Sequence, residues 1–204
     1  TAYCLRQLRR RGHFVSIATG RLQCDAQHFA DRYGIPAVVS DGGNSLSLDG
    51  EILEMEGLPL EPCKALLREL DERRLPWAVV TDNTICRYTP YADYPCADPK
   101  NYMKTVVRPV AIDSLDAVYK ITYARPADKQ NEPDRQGLPH LTYLDHTYLV
   151  EPTDKGKGIL NMLKRIGGRP EDAVVFGDGL NDISMFRKPF FSIAMGNAKA
   201  ELKE

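Results

Sequence analysis

Phe176-Gly177-Asp178-Gly179-Leu180-Asn181-Asp182-Ile183-Ser184-Met185 is the stretch whose reading decides the fold. It continues a short apolar run, Ala173-Val174-Val175-Phe176, of the kind that forms a buried strand. Ligands of open α/β sheets gather beyond the carboxyl ends of the strands, so a polar glycine loop at that point is a candidate site. Asp178, Asn181 and Asp182 place two carboxylates and an amide within five residues. Such a set suits a hard cation such as magnesium, which takes one or two carboxylates and completes its shell with water and phosphate. The same residues also suit a plain strand-to-helix turn with Asp or Asn as its N-cap. The loop alone leaves both readings open.

Two other segments stand at comparable positions. Asp154-Lys155-Gly156-Lys157-Gly158 opens a helix expected over 156–166. A lysine at a helix start is electrostatically misplaced unless the ammonium and the free N–H groups face an anion together. A flexible surface lysine beside flexible glycines is the plain alternative. Thr19-Gly20-Arg21 follows an expected strand at 14–18. A hydroxyl beside a bare glycine amide can hold a phosphoryl oxygen, though Thr-Gly is also an everyday turn. Taken together, a hydroxyl loop, a helix-start lysine and an acidic glycine loop are the parts of a phosphoryl-transfer site. Such a site needs positioning and charge neutralisation more than elaborate covalent chemistry.

The order of elements fits this placement. Leu5 and Leu8 mark a helix over 1–11, and another is expected over 22–33, ended by Gly34 and Pro36. Ala37-Val38-Val39-Ser40 reads as a strand, so the opening alternates helix and strand, which favours a parallel sheet wrapped by helices. Turn signals at Asp41-Gly42-Gly43 and Asp49-Gly50 then predict a hairpin. A helix over 61–74 and strands at 77–81, 84–88 and 118–123 follow. The stretch 90–101, with Pro90, Pro95 and Pro99, reads as a loop, 125–139 as a connection, and 141–150 alternates like a strand. The ending returns to the first rhythm, with a strand at 173–176, a short helix around 180–187 and a strand at 190–194. We expect an α/β core formed by 1–56 and 152–204, with an α+β block, 57–151, inserted into it.

Composition excludes several classes. With 27 basic residues against 28 acidic ones the net charge is -1, which gives no bulk attraction to nucleic acid or an anionic membrane. Arg6, Arg9, Arg10 and Arg11 read as a solvated helix face. No apolar run is long enough to span a bilayer and no signal-like region opens the chain, so the cytoplasm is the expected compartment. The cysteines (Cys4, Cys24, Cys63, Cys86, Cys96) and histidines (His13, His28, His140, His146) show no disulfide or zinc spacing.

The quoted motifs resemble those of the haloacid dehalogenase superfamily, in particular its Cof-like, type IIB sugar-phosphatase branch. Ile17-Ala18-Thr19-Gly20-Arg21, Lys155-Gly156-Lys157-Gly158-Ile159 and the 176–185 stretch carry the resemblance, with Ala194-Met195-Gly196-Asn197-Ala198 as a further signature. It implies a Rossmann-like core with an inserted cap of the C2B type at 57–151. It also implies a magnesium-dependent phosphatase of small phosphorylated metabolites that works through an aspartyl-phosphate. Thr19 and Lys155 would be catalytic, and Gly20, Arg21 and Asn181 would join them in binding the phosphate. Asp178 and Asp182 would serve the magnesium. The family's Asp-x-Asp, which supplies the nucleophile, should precede the first helix, and none occurs within these 204 residues. Asp41 stands where the family has Asn in the hairpin turn. The resemblance therefore implies an inactive fragment of a phosphatase. A natural phosphate-binding or regulatory remnant, and a phosphomutase, are the alternatives it leaves.

Overall fold

The computed structural model describes residues 2–94, 103–143 and 146–204. In chain order the elements are α1 (Ala2–Arg10), β1 (Ser16–Ala18), α2 (Gln23–Tyr33), β2 (Ala37–Ser40), β3 (Ser45–Leu48) and β4 (Glu51–Met55). Then come α3 (Leu60–Glu72), β5 (Trp77–Val80), β6 (Cys86–Thr89), β7 (Lys104–Val107), β8 (Lys120–Ala124), β9 (His140–Tyr143) and β10 (Thr147–Val150). The chain closes with α4 (Lys155–Ile166), β11 (Val174–Gly177), β12 (Phe191–Ala194) and α5 (Ala200–Lys203). It divides into two compact units, Thr1–Met55 with Thr153–Glu204, and Glu56–Pro152. Most of the loop expected over 90–101 lies outside the described residues, as do Cys96 and Asp98.

In the first unit β1 and β2 pair in parallel, Ser16 with Ala37 through Ala18 with Val39. β2, β3 and β4 continue antiparallel, so the hairpin extends the parallel pair into a mixed sheet of order β1-β2-β3-β4. β11 and β12 form a separate parallel pair. The two sheets share apolar cores. Ala37, Val39 and Leu46 pack with Met162 of α4. Val175, Met185 and Phe190 form a neighbouring cluster that Ala18 and Ile159 also join. The carboxyl end of β1 and strand β11 are thereby held in one apolar mass. On β11, Val175 faces this core while Val174 and Phe176 point away, Phe176 being 58% exposed, and Phe191 of β12 is exposed beside them. The short helix expected around 180–187 is present over Leu180–Met185, wound as the tighter 3₁₀ form. The cause is its Asp182 carboxylate, which is drawn back onto the N–H groups of Asp178 and Gly179.

In the second unit a six-stranded sheet runs β7-β6-β5-β8-β10-β9, antiparallel except where β6 and β7 pair in parallel. β7 had no forecast from the sequence. The alternating stretch at 141–150 is a pair of strands, β9 and β10. α3 lays Leu66, Leu67 and Leu70 against Trp77, Val79, Ile121, Tyr123, Tyr148 and Val150 on one face of the sheet. Trp77 is fully buried, and its indole N–H donates to Asp71 at 2.8 Å. The residues of alternate register mix apolar side chains such as Ala78, Val80 and Leu149 with buried polar ones, among them Arg87, Lys120, Thr122 and Thr147. Lys120 pairs there with the equally buried Glu151. Trp77→Ala should cost this unit about 3–5 kcal/mol, the usual range for emptying an aromatic core site, as read by urea denaturation.

Candidate functional site

The site grows from the first turn of α4. Asp154 is its N-cap, its Oδ1 accepting from the Lys157 N–H at 2.9 Å, and Gly167 closes the helix in the left-handed region. Gly156 and Gly158 weaken a helix intrinsically. Their lack of Cβ is nevertheless required by packing. A Cβ on Gly156 would lie 2.3 Å from the Ser184 carbonyl, and one on Gly158 would lie 2.7 Å from that of Gly43. The helix start is thus wedged between the 180–185 turn and the 41–43 turn. The Gly156 N–H also donates to Ser184 Oγ at 3.2 Å.

This wedge buries Lys155, which is 4% exposed and donates to Asp182 Oδ1 at 2.6 Å. The reading of a flexible surface lysine is thereby excluded. Asp182 Oδ2 accepts from the N–H groups of Asp178 at 2.9 Å and Gly179 at 3.0 Å. Burial alone would raise the Asp182 pKa. The Lys155 ammonium and the two N–H donors outweigh it and hold the carboxyl below its ordinary value. Asp178, at the end of β11, is exposed, and its Oδ2 accepts from Asn197 Nδ2 at 2.9 Å. Its carbonyl accepts from the Lys199 N–H at 3.0 Å, so the 195–199 segment holds the acidic loop from below. Asn181 sits over Gly179, its Oδ1 being 2.7 Å from where a Cβ would stand, and its amide makes no hydrogen bond among the described residues.

Thr19 continues the β1–β2 ladder through Thr19 N–H to Val39 O at 2.9 Å. Its Oγ1 accepts from the Arg21 N–H at 3.1 Å, which leaves the hydroxyl proton to be donated elsewhere. The Gly42 N–H donates to Thr19 O at 3.1 Å, and Gly43 abuts the carbonyl of Asp154. A chain of backbone contacts therefore joins the Thr19–Gly20 loop to the α4 start. Arg21 takes another course, its guanidinium pairing with Asp25 at 2.5 Å and lying over the Phe29 ring.

Lys155, Asp178 and Asp182 are thus one connected cluster. Asn197 and Ser184, neither of them among the site residues expected from the sequence, support it. Asn197 could have been found from the 194–198 signature, whereas Ser184 left no signal. A cation fits this donor set at Asp178, which offers an exposed carboxylate oxygen on a glycine loop. Both oxygens of Asp182 are already engaged within the protein. Among the described residues no group of three or more His, Cys, Asp and Glu side chains is placed to hold a metal. Among the described residues no helix is long and apolar enough to cross a membrane.

An α/β core with an acidic loop, a buried lysine and a hydroxyl loop at its strand ends defines a class of phosphate-handling hydrolases. The chain belongs to the haloacid dehalogenase-like hydrolase family, whose model matches residues 1–204. A phosphoglycolate phosphatase of Methanopyrus kandleri is 28% identical over 201 residues, spanning 98% of this chain and 76% of its own. The crystal structure of a hypothetical protein from Geobacillus kaustophilus HTA426 superposes with a TM-score of 0.82 at 26% identity, covering 99% of this chain and 81% of its own. That of the subclass IIB sugar phosphatase BT4131 superposes with a TM-score of 0.75 at 23% identity, covering 98% and 81%. The fold is accordingly that of subclass IIB, a Rossmann-like α/β core with a cap.

Asp182→Asn should leave Lys155 buried without its counter-charge and cost about 3–5 kcal/mol in urea unfolding. A carboxyl whose folded pKa is depressed stabilises above its unfolded value, about 3.9, and ceases to as pH falls through the lower folded value. Thermal melts should therefore show the parent losing stability below about pH 4 through a component absent from Asp182→Asn.

Proposed function

We propose that the protein hydrolyses phosphate monoesters of small metabolites, sugar phosphates among them, in a magnesium-dependent reaction. The observation that carries this reading is the burial of Lys155 at a helix start, with its ammonium on the carboxylate that also gathers the backbone of Asp178 and Gly179. A buried cation is expensive to desolvate, and at a helix start it also opposes the partial positive charge of that end, a double cost that an anion facing the ammonium would offset. The names of the phosphoglycolate phosphatase and sugar phosphatase relatives support a small phosphorylated substrate.

In this reading Thr19 donates its hydroxyl to a phosphoryl oxygen, and Gly20, having no side chain, lets that oxygen come close to the backbone beside it. Lys155 neutralises the charge that the phosphoryl group carries as the ester bond breaks. Asn181 orients a further phosphoryl oxygen through its amide. Asp178 holds the magnesium ion, and Asp182 keeps both Lys155 and the Asp178 backbone in place. When bound, magnesium neutralises phosphoryl oxygens. Arg21 has its guanidinium on Asp25 and contributes only the backbone that fixes the Thr19 hydroxyl. The Glu56–Pro152 unit serves as the cap, and the buried polar face of its sheet, with Arg87, Lys120 and Thr122, supports that role. The family's nucleophile motif, Asp-x-Asp, is not among these 204 residues, so turnover requires it to be supplied.

The test uses the chain extended ahead of Thr1 by a strand ending in Asp-x-Asp. Hydrolysis of an aryl phosphate should appear with magnesium and vanish on chelation. Asp178→Ala in that protein should lower turnover at least about 100-fold while the melting temperature stays close to the parent's. Turnover that survives chelation would overturn the assignment.

A further inference from the structure

Three consecutive residues of the hairpin turn are left-handed: Asp41 at φ 49°, Gly42 at 64° and Gly43 at 114°. Glycine takes such angles freely, but an L-residue in the left-handed region gives up about 1–2 kcal/mol. Asp41 is also 1% exposed. A strained, buried carboxylate at a hairpin turn needs a compensating contact, and the contact is at α2. That helix begins after Leu22, which has no side-chain oxygen to cap it. The carboxylate arrives instead from 18 residues away, Asp41 Oδ2 accepting from the N–H of Gln23, the first helical residue, at 3.1 Å. The helix N-terminus, with its unsatisfied N–H groups and partial positive charge, is where a carboxylate is best accommodated.

Two backbone bonds reinforce the link. The Asp41 N–H donates to Arg21 O at 2.8 Å, and the Gly42 N–H donates to Thr19 O at 3.1 Å. On its far side the turn meets α4. A Cβ on Gly43 would stand 2.2 Å from the Asp154 carbonyl and 3.0 Å from the Lys155 nitrogen. One three-residue turn thus touches the Thr19 loop and the backbone that carries Lys155, and Asp41 fixes its angle.

We propose that Asp41 is a positioning residue that holds the Thr19 loop and the first turn of α4 in fixed register, so that hydroxyl and ammonium address the same phosphate. This rests on the phosphate-site reading given above. Asp41 touches no substrate and acts through the turn.

The test compares Asp41→Gly with Asp41→Asn in the 204-residue chain. Glycine keeps the left-handed turn without strain and removes only the capping oxygen, whereas asparagine retains an acceptor. Orthophosphate binding with magnesium is measured by calorimetry, and amide exchange is followed at Gly42 and Lys157. Asp41→Gly should weaken orthophosphate binding at least fivefold and speed exchange at both amides about tenfold or more, with Asp41→Asn close to the parent in each. Unchanged binding and exchange in Asp41→Gly would overturn the proposal, as would equal losses in Asp41→Asn. If the parent itself binds no orthophosphate, the phosphate-site reading fails, and the exchange measurements alone decide the positioning role. Should Asp41→Gly not fold, Gln23→Pro deletes the same bond from the donor side. Proline is tolerated at a first helical position, and Leu22 already has φ -58° and ψ 149°, the backbone that proline asks of its predecessor. The same two readings then decide.

Discussion

The ion pair between Lys155 and Asp182 is the contact on which the core unit turns. Both side chains are buried, and a buried pair recovers its desolvation cost only with good geometry and further hydrogen bonds. Here the further bonds are two backbone N–H groups at the end of β11, so one carboxylate binds a helix start to a strand end. The pair also determines local shape. Because Asp182 must fold back to receive those donors, the 180–185 segment tightens, and its Ser184 carbonyl is pressed against α4. Glycine at 156 is the condition for that approach, and Lys155 is held inward as the result.

Much of the architecture could be read from pattern because burial and pattern coincide. β5 is an unbroken apolar run and β2 one closed by Ser40, and both are buried throughout. α3 shows its leucines at helical spacing because one face of it meets a sheet. β7 escaped because Lys104-Thr105-Val106-Val107 is a short edge strand whose pairing partner, β6, lies in a different stretch of sequence. The site divides the same way. Residue types at strand ends and at a helix start single out Thr19, Lys155 and Asp178 as candidates. Spacing could not reveal that the glycines around Lys155 are demanded by contact with Ser184 and Gly43, since their flexibility is the usual first reading. Nor could it show Arg21 paired with Asp25, because an i,i+4 pair from the loop onto the first turn of α2 competes silently with any ligand. Asp41 was visible only as a departure from a family pattern, and its link to Gln23 is a tertiary fact.

Among the described residues, the second unit buries polar groups on one face of its sheet alone. Towards α3 it is an ordinary aromatic and aliphatic core. On the alternate register, buried Lys120 is neutralised by Glu151, Tyr94 shares a hydrogen bond with Thr122, and Arg87 donates to Thr105 at 2.8 Å. Polar groups buried at this density are tolerated only when mutually satisfied, which makes this face rigid and intolerant of single replacements.

The β11–β12 pair carries a practical consequence. Val174, Phe176 and Phe191 form an exposed apolar strip on a sheet that, among the described residues, has two strands. Unpaired backbone beside exposed aromatic rings is the pattern that recruits foreign strands during concentration or storage. Concentrated stocks of this chain are therefore best kept cool and low in salt, conditions in which apolar association across that strip is weakest.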